Sequence, residues 1–115
     1  MYFKDEEHKE GLEFLLSKFG LSDVESDVYY GSLAYLVSAT GKERKIVKTF
    51  KRDGSVDSDK YMEIIQVYSS SEQALLKFAL QCFNSRLSKI TIADVFYSLD
   101  SQNSKVVKQA IEIRY

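Results

Sequence analysis

Residues 69–83 read Ser-Ser-Ser-Glu-Gln-Ala-Leu-Leu-Lys-Phe-Ala-Leu-Gln-Cys-Phe. Ser69 followed three residues later by Glu72 is a capping box. In it the serine hydroxyl and the glutamate carboxylate each satisfy a backbone N–H that a helix start leaves without a partner. Behind the cap, Leu75, Leu76, Ala79, Leu80, Cys82 and Phe83 recur at helical spacing over a wide apolar arc. That pattern predicts a helix opening at Ser69 and lying at the centre of the fold.

Working outward toward the N-terminus, Ser58 is placed to cap a short helix through Tyr61, Ile64, Ile65 and Tyr68. Before it, Lys51-Arg52-Asp53-Gly54-Ser55 carries an Asp-Gly turn signal without strand alternation on its flanks, which predicts an interhelical loop rather than a hairpin. Thr40-Gly41-Lys42-Glu43 matches a second capping box. It predicts a helix from about Gly41 to Phe50 with Ile46, Val47 and Phe50 inward, and an end near Ala39 for the helix before it. That preceding helix carries Val28, Tyr29, Leu33, Leu36 and Val37, with Ser26 or Asp27 as its cap. The first helix starts at the acidic turn Asp5-Glu6-Glu7, presents Leu12, Leu15, Leu16 and Phe19 on one face, and stops at Gly20. Gly11 weakens it by about 1 kcal/mol relative to alanine.

Toward the C-terminus, Thr91-Ile92-Ala93-Asp94 opens a short helix containing Val95, Phe96 and Leu99. Val106, Val107, Ala110 and Ile111 then keep helical spacing, although Ile111, Ile113 and Tyr115 also alternate as a strand would. The longer helical pattern is preferred. The expected fold is all-α: a compact bundle of six or seven short amphipathic helices, with residues 1–115 forming a single helical domain.

The 115 residues carry 16 basic and 17 acidic side chains, for a net charge of −1, and include no proline. One cysteine cannot close an intramolecular disulfide, and one histidine cannot complete a Cys/His zinc site. No catalytic residue, metal or cofactor is therefore expected. The N-terminus lacks the basic start and apolar core of a secretory signal, and no stretch reaches the ~20 apolar residues of a membrane span. The expectation is a cytoplasmic protein of a bacterial host cell with no membrane partner.

The small net charge conceals segregation. Residues 1–27 hold three basic and eight acidic side chains, residues 42–52 six and one, residues 53–72 one and five, and residues 73–115 six and three. On a continuous helix Lys45, Lys48 and Arg52 would share a face that Arg44 and Lys51 extend, opposite Ile46, Val47 and Phe50. Such a basic stripe can meet an acidic partner protein or phosphates, and it can equally be a solvated face near a helix C-terminus. Tyr29 and Tyr30 stand about 100° apart on a helix, so at least one is expected at the surface, where tyrosine beside arginine is hot-spot chemistry.

Other residues have plainer readings. His8, among Asp5, Glu6, Glu7 and Glu10, is expected in a solvated acidic helix start, because one turn spreads these oxygens instead of converging them on a cation. Cys82, on the apolar arc, is expected to be a buried inert thiol. Ser69 is a cap, not a nucleophile. No G-x-S-x-G, P-loop or dinucleotide glycine fingerprint is present.

Several stretches taken together resemble a family. They are Phe3-Lys4-Asp5-Glu6-Glu7-His8, the run Tyr29–Tyr35, the run Ser69–Asn84 with its Leu-Lys-Phe-Ala-Leu-Gln-Cys-Phe-Asn core, Thr91–Phe96, and Gln109–Tyr115. In order and over most of the chain, they resemble a small all-helical family of unknown function from Firmicutes and their prophages. The resemblance implies a phage or mobile-element origin and brings no catalytic residues with it. Combined with the segregated charge and surplus tyrosine, the leading expectation is a non-enzymatic protein-binding accessory protein acting on a host or phage protein. One concrete form is an anti-CRISPR-like inhibitor of a bacterial defence system. The alternative is a nucleic-acid-binding module using the basic helix 42–52, which the acidic pI of about 5.8 disfavours. An enzyme of unrecognised chemistry is the third reading.

Overall fold

From Gly31 to Ala39 every residue of the second helix is buried. A helix enclosed on all sides has no polar face to show, so it must be the element around which the others pack. The computed structural model describes all 115 residues, and its α-helices follow in the order α1 (Glu6–Phe19), α2 (Val28–Thr40), α3 (Glu43–Ile46), α4 (Ser58–Ile65), α5 (Ser70–Phe83), α6 (Ile92–Tyr97) and α7 (Ser101–Arg114). The fold is an all-α bundle. Helices α1, α5 and α7 pack around α2, and one continuous core contains Leu15, Leu36, Leu76, Leu80 and Val107. No helix is long and apolar enough to cross a membrane.

The expectation that the helix after Ser69 lies at the centre is thus shared with α2. α5 contributes Leu75, Leu76, Phe78, Ala79, Leu80 and Cys82 to the interior but keeps Ser71, Gln73 and Lys77 partly exposed. Small residues let α2 sit deeper. At Gly31 a β-carbon would lie 2.1 Å from the carbonyl oxygen of Val24, so the linker 21–27 can cross this close only over glycine.

Local signals set most boundaries. Ser69 and Glu72 form the full capping box. Asp27 accepts from the N–H groups of Tyr29 and Tyr30, Thr91 accepts from that of Asp94, and Gly20 closes α1. At α4 the cap is Asp57 and not Ser58, which becomes the first helical residue. The C-terminal segment is helical to Arg114, and its strand-like alternation is not used.

The region 40–56 departs from expectation. Gly41 adopts a left-handed φ of 73°, ending α2 one residue beyond Ala39. Thr40 stays in that helix and its hydroxyl donates back to the Val37 carbonyl. No capping box forms, and Lys42 occupies the N-cap without a side-chain bond. Glu43 turns inward against α1, where a β-carbon on Gly11 would stand 2.7 Å from its Oε1. The expected helix 41–50 is only α3 followed by a single 3₁₀ turn, Val47–Thr49. Phe50 is extended and pairs with Val56 in a lone antiparallel bridge. The loop is therefore pinched like a hairpin without being one.

Candidate protein-docking surface

Asp27 holds the first turn of α2 through bonds of 3.0 and 3.2 Å from the Tyr29 and Tyr30 N–H groups. The helical step then sends the two rings in different directions. Tyr29 remains 49% exposed. The guanidinium of Arg114, in the last turn of α7, lies 4.1 Å from the centre of the Tyr29 ring and 4.6 Å from that of Tyr115. Its Nε donates to the Cys82 carbonyl at the end of α5, at 2.9 Å. Three helix ends thereby hold a planar cation against two tyrosine rings, and Tyr115 is 80% exposed. The attraction of a cation to a ring face is worth roughly 0.5–1 kcal/mol at exposed sites. The result is an exposed cluster of tyrosine and arginine, the composition typical of interface anchors.

Tyr30 turns inward. Its ring centre lies 4.8 Å from that of Phe19 and 4.9 Å from that of Phe83, with Phe50 at 6.3 Å. Its hydroxyl donates to the Gly54 carbonyl at 3.3 Å. Desolvation raises the phenol pKa, and the carboxylates of Asp27 and Asp53 add to the effect.

The five basic residues 44–52 do not share one helix face, because the helix stops before Phe50. Arg44 stacks over the Phe14 ring of α1 at 4.3 Å. Lys45 and Lys48 are exposed on α3 and the 3₁₀ turn. Lys51 and Arg52 lie in the pinched loop, where with Lys18 they surround a shallow hollow of about 280 Å³ floored by Phe19, Tyr30 and Phe50. The fold thus unites Lys51, Arg52 and Tyr30 with Lys18, a residue that the sequence pattern did not single out. Tyr29 and Tyr30 are adjacent, so the hollow and the Arg114 stack flank the same end of α2.

His8 corrects the expectation of a solvated helix start, for it is only 2% exposed. Nδ1 accepts from the Lys4 N–H at 3.2 Å, so Nε2 carries the proton and donates to the Tyr35 carbonyl at 2.9 Å. Both nitrogens are engaged, which leaves none for a metal. No group of three or more His, Cys, Asp or Glu side chains is arranged to hold one. Cys82 is buried. Desolvation pushes its thiol up to about 11, against the smaller opposing influences of Arg114 and a hydrogen bond with Ser32.

Arg114 and Tyr115 are the main surface residues that sequence reasoning missed. The Arg-Tyr pair itself was visible, but its meeting with Tyr29 spans nearly the whole chain. Compared with known proteins, the chain matches no family model, no curated protein and no solved structure.

Proposed function

We propose that this chain is a non-enzymatic protein-binding accessory protein of phage or mobile-element origin, docking on a host or phage protein through the α2 end of the bundle. The observation that carries the reading is the exposed Tyr29–Arg114–Tyr115 stack. Tyrosine and arginine are among the side chains most enriched in interface anchors, and here they meet at the surface. Lys18, Lys51 and Arg52 beside it favour an acidic rim on the partner, where complementary charge raises association rate and selects orientation. The origin rests on the resemblance of residues 3–8, 29–35, 69–84, 91–96 and 109–115 to the prophage-borne family. Inhibition of a bacterial defence system is one form such docking takes.

The test compares pull-downs from a Firmicutes lysate with the wild-type chain and with Tyr29→Ala plus Tyr115→Ala. A discrete partner retained by the first and lost by the second is the expected result. Identical bound sets from both proteins would sink the proposal.

A second reading, nucleic-acid binding, is favoured by the hollow, where three cations surround aromatic rings as in single-strand binders. Its test is a mobility shift of labelled single strand or duplex at low salt. A shift lost on Lys51→Glu plus Arg52→Glu supports it, and no shift ends it.

A further inference from the structure

An open cleft with a volume of about 600 Å³ lies away from the α2 end, between α4, α5, α6 and the connection 84–91. That size falls within the usual range of small-molecule pockets, roughly 300–1,000 Å³. Lys77 reaches it from α5 and Lys89 from the connection. The one ion pair of the fold joins Lys42 to Glu72, so neither lysine is neutralised by a carboxylate contact. The hydroxyl residues Ser70, Ser88 and Ser98 line the same cleft, and Met62, Ala74, Leu87 and Ile90 supply its apolar wall. The connection is set in place beforehand. Gln81 accepts from the Ile90 N–H at 2.6 Å, and the Asn84 side chain accepts from that of Arg86 at 3.0 Å.

We infer that this cleft binds a small phosphate monoester, its head between Lys77 and Lys89 and its apolar body against Met62, Leu87 and Ile90. Two ammonium groups match a dianionic head, and the serine hydroxyls can donate to its remaining oxygens. A carboxylate presents fewer oxygens and less charge to the same donors. Asp94 also lines the cleft, so the positive excess is one charge and the head sits on the lysine side. This inference is independent of the docking surface, since no residue is shared between the two.

Backbone amide NMR with phenyl phosphate as probe tests it, following Ser70, Lys77, Ser88 and Lys89. Saturable shifts at these amides are expected, with benzoate weaker and benzyl alcohol without effect. Lys77→Gln and Lys89→Gln should each weaken phenyl phosphate by about tenfold, the scale of one charge-assisted hydrogen bond. Asp94→Asn should tighten it by removing the opposing charge, a gain that damage to the fold cannot mimic. Lys89 is exposed on the connection, so its variant carries the test even if Lys77→Gln fails to fold. Absence of shifts, an equal response to benzyl alcohol or benzoate, or unchanged affinity in folded Lys89→Gln would overturn the assignment.

Discussion

The imidazole of His8 and the backbone carbonyl of Tyr35 are joined at 2.9 Å across the α1–α2 interface. Around this bond the chain start is tied down: the Tyr35 hydroxyl donates to the Tyr2 carbonyl, and the Lys4 ammonium to that of Ala39 at 3.2 Å. Folding lowers the His8 pKa below its ordinary 6.5, chiefly by desolvation. The Tyr35 bond opposes this, Lys4 adds to the lowering, and Asp5 acts against it. Protonation would also convert Nδ1 from acceptor to donor and set it against the Lys4 N–H.

The unfolded chain therefore binds this proton more readily than the folded one. The stability contributed by neutral His8 is complete above about pH 6.5 and is lost as pH falls through the lower folded-state value. Thermal melts between about pH 7.5 and 5.5 should show a steeper fall in Tm for wild type than for His8→Gln. Parallel curves would show that the buried imidazole does not control this window.

Gly31→Ala should destabilise the protein by about 3 kcal/mol or more, because its β-carbon would lie 2.1 Å from the Val24 carbonyl oxygen and backbone must move. Gly41→Ala is the contrast. Nothing lies within 4 Å there and only the left-handed φ is strained, at a cost of about 1 kcal/mol. Urea unfolding of the two variants measures the difference, and an equal cost would place the crossing of α2 by the linker in doubt.

Ser69→Ala should cost about 1 kcal/mol, the usual worth of an N-cap. Glu72→Gln keeps an acceptor for the cap but loses the Lys42 ion pair, whose 3.9 Å contact is about a third exposed. It should change stability by less than about 0.5 kcal/mol. Denaturant midpoints of the two variants rank the contributions, and the reverse order would make the ion pair the stronger.

Cys82 should resist a thiol reagent at about pH 8 in the native protein, where a thiol held near 11 is ionised in only about one molecule per thousand. Labelling should rise in step with unfolding as urea is added. Rapid native labelling would mean that the end of α5, and with it the Arg114 anchor, opens readily.

The helix starts at Ser69 and Thr91 are legible in the sequence, and that of α2 to within Ser26 or Asp27, because a cap is closed by residues two or three apart; the structure selects Asp27. Thr40-Gly41-Lys42-Glu43 carries an equally good pattern and forms no capping box. Its failure is tertiary: Gly41 ends α2, and Glu43 is drawn inward to the space left by Gly11. The basic stripe failed for a related reason. Phe50 packs edge-on against Phe83 at 5.3 Å and Phe19 at 5.6 Å, and its extended backbone cannot continue a helix through Lys51 and Arg52. His8 is buried despite its acidic neighbours, because the ring itself faces α2.

Period and capping, readable over a few residues, were enough for an all-α fold and for most helix limits, since each depends on hydrogen bonds closed within a turn or two. Which helix lies innermost, where the basic residues point, and the union of Tyr29 with Arg114 and Tyr115 depend on contacts between distant segments. Those contacts compete for a limited interior. Close packing decides the competition at Gly11, Gly31 and Phe50 in ways that no local pattern encodes.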